Sequence, residues 1–314
     1  MNTINMASQE QEQTYKAYTP AQGLAYAKSR GSYPQELYNH ILSHHTSTSG
    51  QLSTLIDVGC GPSNGIRPLA PHFANAIGLD PSASIISTAL SIPSSTASGA
   101  PIQFHVSTAE DLGSPSNSYI NIPDASVDMI TAATAAHWFD LPRFYRRAAS
   151  LLKPGGTLAL WTASSVYVHP RTPNYERIKN IIFHLDCEVL VPYLLPGNDL
   201  ARDLYRDLLL PWTIEPPEPA FSERDFARME WNRDGDVSVH KNFFFRHERV
   251  GLEEFAKVMG TSSAVMRWRE ANLALIGTEK DCVQSAVREI KEALREVVVR
   301  EGEEMIETGW RGRC

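Results

Sequence analysis

The run Leu55-Ile56-Asp57-Val58-Gly59-Cys60-Gly61-Pro62 ends an apolar segment in an acid and passes at once into a glycine turn. A buried parallel strand hands over in this way to a loop lying beneath a nucleotide-like cofactor. Gly59 and Gly61 carry no Cβ, so the turn can be tight and a ligand can approach the main chain. Asp80 closes the next apolar segment, about 20 residues after Asp57, where a carboxylate can accept hydrogen bonds from both hydroxyls of a ribose. It can also cap a helix starting at Ser82, and one residue can do both; the spacing favours the ribose. Ala109-Glu110-Asp111 follows a third such segment. A carboxylate or amide there can hold an adenine amino group, or the acids can be a solvated loop pair, and the residues leave both open. Two features speak against a dinucleotide. Gly59-Cys60-Gly61-Pro62-Ser63-Asn64 lacks the last glycine of GxGxxG, and Pro62 removes an N–H that a pyrophosphate-binding helix start would offer. A cofactor without phosphates fits better.

Such residues work only if strand ends are brought to one edge of a sheet. The pattern predicts strands over 52–58, 76–79, 103–106, 127–133 and 157–161. Between them lie helices over 63–70, capped by Ser63 or Asn64, 82–90 and 141–152, with loops at 91–101 and around 114–121. Repeated strand–helix units imply an α/β fold, a doubly wound, mostly parallel sheet with helices on both faces. Upstream, 1–14 reads as a disordered polar leader. The stretch 15–50 reads as an N-terminal helical lid, with Pro34 opening a helix whose register is Leu37, Tyr38, Ile41 and Leu42. The α/β core is expected over 51–162. Prolines crowd 163–225, which reads as a helical cap or insertion. In 226–314, strands are expected at 227–231, 241–246 and 305–311 and amphipathic helices at 252–270 and 283–299, completing core and lid.

Composition sets the outer bounds. Hydrophobic residues make up 42% and charged residues 21%, ordinary for a globular protein with a real core. A net charge of −7 with no basic stripe argues against a nucleic-acid partner. Cys60, Cys187, Cys282 and Cys314 are scattered without a CxxC pair, so neither a metal site nor a disulfide framework is expected. No apolar run approaches the roughly 18–20 residues of a membrane span, and residues 1–14 lack an apolar signal core. A cytoplasmic protein without a membrane partner, monomeric or homodimeric, is the expectation.

Residues 55–62 with Asp80 and Ala109-Glu110 resemble the cofactor half of the class I S-adenosylmethionine-dependent methyltransferases. Asp128-Met129-Ile130-Thr131-Ala132, Ala136-His137-Trp138-Phe139-Asp140 and the LLKPGGTLALW run at 151–161 resemble the trans-aconitate methyltransferase branch, fungal type. Arg30-Gly31-Ser32-Tyr33-Pro34 and Leu252-Glu253-Glu254-Phe255 with Trp268 agree. The likeness covers about 20–275 and is strongest over 50–161. It implies a seven-stranded Rossmann-like sheet with a helical cap and S-adenosyl-L-methionine as cofactor. It implies that the backbone of Gly59, Cys60 and Gly61, above Asp57, meets the methionine part. Asp80 and Pro81 would hold the ribose, Ala109 and Glu110 would flank the adenine, and Ala133 and Thr134 would lie beside the methyl. Arg30 would pair with the cofactor carboxylate or an acidic substrate. Tyr26, Tyr33, His137, Trp138, Trp161 and Arg171 are the candidate substrate-lining residues, with plain core packing preferred as the single role of Trp138 and of Trp161. This chain departs from the family in having Ser63 for a glycine and Gly31 for a proline; the second change touches the lid over the substrate.

The expected reaction is methyl transfer to a small molecule, with O-methylation of a carboxylic acid, aconitate-like or a natural-product acid of secondary metabolism, as the leading form. A carboxylate acceptor needs no base; a phenol or alcohol would benefit from one. His137 is the candidate, with a substrate-lining role preferred over an obligatory base. A trianion such as aconitate would need converging arginines, from Arg30, Arg171, Arg202 and Arg267. A pocket with at most one arginine would point instead to a larger natural-product acid, phenol or amine. The alternative is a methyltransferase fold that binds the cofactor without transferring its methyl, as a cyclase, isomerase or regulatory partner.

Overall fold

Five short apolar segments lie side by side because buried parallel strands must be apolar on both faces. The computed structural model describes residues 23, 26–27, 32–112, 120–231, 245–296 and 304–314. Strands β1 (Thr54–Val58), β2 (Asn75–Asp80), β3 (Gln103–Val106), β4 (Val127–Ala133) and β5 (Leu152–Val168) run parallel in the order β3-β2-β1-β4-β5. The second half of β5 turns away from β4 and pairs antiparallel with β8 (Met305–Arg313). Strands β6 (Glu230–Trp231) and β7 (Phe245–Gly251) share the far edge of β8, end to end. Eight strand segments thus fill a sheet seven positions wide, a Rossmann-like sheet flanked by helices.

Alternation along the strands sorts side chains between two cores. Leu55 and Met129 face helix α1 (Gln35–Ser47), whose Leu37, Tyr38 and Ile41 are buried against them. Ile56, Val58 and Ile130 face α3 (Leu141–Leu151) and its Phe144 and Tyr145. Asp57 and Thr131 are register partners pointing to the α1 side. A third core lies under the cap. There α4 (Tyr175–His184), α6 (Leu252–Met259), α7 (Ser263–Ala271) and α8 (Cys282–Arg295) bury Ile178, Phe255, Val265 and Ile290. Helix α2 (Ala83–Ser91) follows β2, and the short α5 (Pro196–Arg202) crosses the cap.

Several expectations are corrected. Residues 63–70 form no helix. Gly59, Gly61 and Ser63 all have left-handed φ, at 65°, 54° and 82°. Ser63 therefore lacks the extended backbone of an N-cap, and the chain advances by linked turns to a 3₁₀ turn at Ala70–His72. The helix expected over 252–270 is two helices, α6 and α7, with Gly260 ending the first and Ser262, in extended backbone, opening the second. Strand β5 runs seven residues beyond Trp161, to Val168, because β8 supplies it with a new partner. Residues 1–14, Arg30, most of the 114–121 loop, 241–244 and 297–299 lie outside the described residues.

Candidate functional site

The carboxyl ends of β1, β2 and β4 open into a cleft of about 500 Å³, roofed by the cap. Ligands of open α/β sheets bind at this edge, where strand order reverses around the first strand. One end of the cleft is built for a nucleoside. Asp80 leaves β2 almost fully buried; its Oδ2 accepts the Gly61 N–H at 3.1 Å and its Oδ1 the Ser82 N–H at 2.9 Å. Each oxygen keeps lone-pair capacity for a ribose hydroxyl. Burial, partly offset by these two N–H groups, pushes the carboxyl up to about 6. A Cβ placed on Gly61 would meet no atom within 4 Å, so this backbone faces open space. A Cβ on Gly59 would come within 2.6 Å of Ala135 Cβ, so here the turn itself is packed against the loop after β4. Asp57 lies beneath, fully buried. Its Oδ1 accepts the Thr131 hydroxyl at 2.6 Å, and its Oδ2 has no hydrogen-bond partner among the described residues. Burial drives the Asp57 carboxyl up to about 7, and neighbouring Asp80 adds to the rise. An orphaned carboxylate oxygen, an open glycine cradle and two ribose-ready oxygens fit an adenosine cofactor bearing an amino acid.

Pro81 and Ala109 line the same end. Glu110 also lines it, but its Oε1 accepts the Asp140 N–H at 2.8 Å and so ties the β3 loop to the start of α3. Arg143 reaches the rim at 3.7 Å from Asp111.

The other end is a chamber between the sheet and the cap. Thr134 lines it with φ 52°, a strained conformation for a β-branched residue, its N–H bonded to the Trp161 carbonyl at 2.7 Å. Its hydroxyl shares a hydrogen bond of 2.9 Å with Tyr33. Register slips between Ala163 and Val166 of β5, and this bulge sets Ser164 and Ser165 on the chamber wall. The 3₁₀ turn Ala136–Trp138 carries His137 and Trp138 into the chamber. Gly197 of α5 presses on this turn so closely that a Cβ there would lie 2.5 Å from the Trp138 ring. The His137 Nδ1 stands 2.9 Å from the Tyr205 hydroxyl. Burial pushes the imidazole down to about 3, so the ring is neutral. After α4 the chain widens into a π turn (Leu185–Val189) that brings Asp186 to the chamber, where it holds the Arg202 Nη2 at 3.0 Å. Leu194, Met259 and Trp310 supply apolar wall.

Gly59, Cys60, Gly61, Asp80, Pro81, Ala109, Glu110, Ala133 and Thr134 thus converge on one cleft with Tyr26, Tyr33, His137 and Trp138. Two substrate-lining expectations are corrected. Trp161 is fully buried behind Tyr33, edge-on to its ring at 5.4 Å, because the β5 pleat turns it into the α1-side core. Arg171 lies outside the cleft, paired with Glu307 at the β8 side. Arg267 braces α7 on the cap through the Tyr193 carbonyl at 2.7 Å and Asn198 at 2.7 Å rather than facing a substrate. Of the four arginines expected to converge, Arg202 alone among the described residues lines the cleft. Tyr205, Asp186, Ser164 and Met259 were not singled out beforehand. None carries a periodic or motif signal, and each reaches the site through the cap's path or a bulge.

A family profile described as "Methyltransferase domain" matches residues 56–160. The chain is 26% identical over 276 residues to a probable S-adenosylmethionine-dependent methyltransferase of Saccharomyces cerevisiae, covering 85% of this chain and 86% of that protein. It is 26% identical over 219 residues to the methyltransferase pgmE of Aspergillus terreus, covering 68% of this chain and 64% of that one. Among solved structures, a proposed type II methyltransferase of Anaeromyxobacter dehalogenans superposes with a TM-score of 0.60 at 23% identity. The superposition covers 90% of this chain and 95% of that one, a likeness of fold.

Proposed function

We propose that this chain, a class I S-adenosylmethionine-dependent methyltransferase, methylates the carboxylate of a small acid that carries one acidic group on a largely apolar body. Bound S-adenosylmethionine supplies a methyl group on a sulfonium, already activated for in-line displacement. The protein's own task is to hold and orient an acceptor and keep water out. On this reading Gly59, Cys60 and Gly61 cradle the cofactor's methionine part above Asp57. Asp80 and Pro81 hold the ribose, Ala109 and Glu110 flank the adenine, and Ala133 and Thr134 lie near the methyl.

The carrying observation is His137, half-buried in the turn after β4 with no acid beside it among the described residues, its imidazole pushed by desolvation down to about 3 and so neutral. A base that weak at neutral pH is poorly matched to a phenol or alcohol, whose proton it would have to take. A carboxylate arrives ionised and needs only a hydrogen-bond donor, which a neutral imidazole provides. Arg202 suits a single acid group. Its Nη2 is spent on Asp186 and the Cys187 sulfur at 3.2 Å, while its Nε and Nη1 make no hydrogen bond among the described residues. Among the described residues of the chamber a trianion would find Arg202 as its one cation, and that arginine is already paired with Asp186. The apolar wall of Leu194, Met259 and Trp310 continues into a small annex lined by Val250 and Phe255, which suits an apolar body.

The test is incubation with methyl-labelled cofactor and separate panels of monocarboxylic acids, tricarboxylic acids, phenols and amines. Label should enter monocarboxylic acids and be released as methanol by mild alkali, the mark of an ester. Label confined to alkali-stable products of phenols or amines would overturn the reading, and a preference for tricarboxylic acids would overturn its single-acid part.

A further inference from the structure

The cap contributes a residue that acts on His137 rather than on a ligand. We propose that Tyr205 is a positioning residue that fixes His137 in the tautomer with its proton on Nε2, so that the ring presents a hydrogen-bond donor to the acceptor. The inference deepens the carboxylate reading and rests on it for its catalytic consequence, though not for the tautomer itself.

Geometry carries the argument. Tyr205 is 4% exposed, and its hydroxyl lies 2.9 Å from His137 Nδ1, the ring centroids being 5.7 Å apart. This contact spans 68 positions in the chain and is reached by an unusual backbone. Leu204 and Tyr205 have φ of 55° and 57°, successive left-handed conformations in bulky residues that surrounding structure must impose. The left-handed step follows directly on α5, with Tyr205 N–H bonding the Leu200 carbonyl at 2.8 Å. Gly197 on the same helix presses on the turn that bears His137. Helix, left-handed step and phenol therefore form one bracket around the imidazole.

The direction of the hydrogen bond follows from what else surrounds the phenol oxygen. Burial raises the Tyr205 phenol and keeps it protonated. Nδ1 is the one hydrogen-bond partner of the phenol oxygen among the described residues, so the buried, protonated phenol either gives its hydrogen to Nδ1 or leaves it unsatisfied. A ring that accepts at Nδ1 and is neutral carries its hydrogen on Nε2. The other tautomer would place a lone pair on Nε2 and repel an anionic acceptor.

The test uses the full-length protein labelled with ¹⁵N-histidine, free and saturated with S-adenosylmethionine, with the His137 signals assigned by loss in His137→Gln. The wild type should show His137 with Nε2 protonated and Nδ1 unprotonated and hydrogen-bonded. Tyr205→Phe keeps the ring packing and removes the hydroxyl. It should shift the Nδ1 resonance and admit the second tautomer. It should also lower kcat by about tenfold, the size expected of one lost orienting hydrogen bond, with KM for S-adenosylmethionine unchanged. A wild-type His137 protonated on Nδ1 overturns the proposal outright, with no variant needed. Unchanged ¹⁵N shifts and kcat in Tyr205→Phe overturn it as well. Turnover of phenols or amines in place of acids would remove the carboxylate reading, while the ¹⁵N spectrum still decides the role of Tyr205.

Discussion

Gly59 and Gly61 offer a paired perturbation in which one methyl group tests the fold and the other tests the ligand. Both residues have left-handed φ, 65° and 54°, so alanine at either position carries strain of about 1–2 kcal/mol. They differ in what the new Cβ meets. At Gly59 it would lie 2.6 Å from Ala135 Cβ and 3.6 Å from Phe139, an overlap of the kind that adds roughly 1–3 kcal/mol. Gly59→Ala should therefore cost about 2–5 kcal/mol, a large part of a typical domain's stability. At Gly61 the Cβ meets nothing within 4 Å, so Gly61→Ala should cost only the backbone strain. That methyl group would, however, project into the cleft where the cofactor backbone contact is proposed. Urea denaturation of the cofactor-free variants and calorimetric titration with S-adenosylmethionine separate the effects. Gly61→Ala should remain folded and bind at least ~10-fold more weakly, about 1.4 kcal/mol. Adding Ala135→Gly to Gly59→Ala should restore the overlap component but not the strain. Wild-type affinity in Gly61→Ala would refute the cradle, and no recovery in the double variant would refute the steric account of Gly59.

The remaining expectations concern charge, the cap and its supports. Burial pushes Asp80 up to about 6, and accepting two ribose hydroxyls favours its ionised form. Cofactor affinity should therefore fall about tenfold between pH 7 and pH 5, and flatten in Asp80→Asn. The sign is opposite for the empty protein. Asp57 and Asp80, at about 7 and about 6, are both raised by burial, so their stabilising contribution is lost as pH rises through those values. Thermal melts without cofactor should accordingly shift upward as pH drops from 8 towards 6, and a downward shift would contradict the burial assigned to the pair. Asp281 is fully buried, caps α8 through the Val283 N–H at 3.0 Å and pairs with Arg269 at 2.8 Å. Asp281→Ala should destabilise by about 3–5 kcal/mol in urea titration by leaving the arginine unpaired. Gly197→Val should push α5 off the Trp138 ring and lower kcat with little change in cofactor binding, measured by steady-state kinetics and calorimetry.

Legibility from sequence followed the range of the interactions. The bounds of β4 coincide with its apolar run, because a strand buried on both faces is written as a local stretch of residues. The helix expected after Pro62 failed because three alternate left-handed positions, Gly59, Gly61 and Ser63, have no reliable local signature. The helix over 252–270 failed because its apolar period continues across Gly260, and only packing under the cap shows the break. At the site, the place of Asp80 and of the glycine turn on the cleft was readable because strand and turn lie close together in the chain. Trp161 and Arg171 were misplaced because which face of β5 a residue takes, and where β5 leaves β4 for β8, depend on a strand more than 130 positions away.

The chain's own order of residues therefore determined the parallel sheet, the glycine turn over Asp57 and the cofactor class. Each of these is specified within one strand–turn–helix unit, where backbone sterics and hydrophobic periodicity act locally. Tertiary structure alone decided the chamber between the sheet and the cap. It set His137 neutral by desolvating it, left Arg202 as the one chamber arginine among the described residues, and brought Tyr205 onto the imidazole through a left-handed step after α5. Burial and long-range contact set charge states and tautomers, and neither is encoded at the position of the residue they act on.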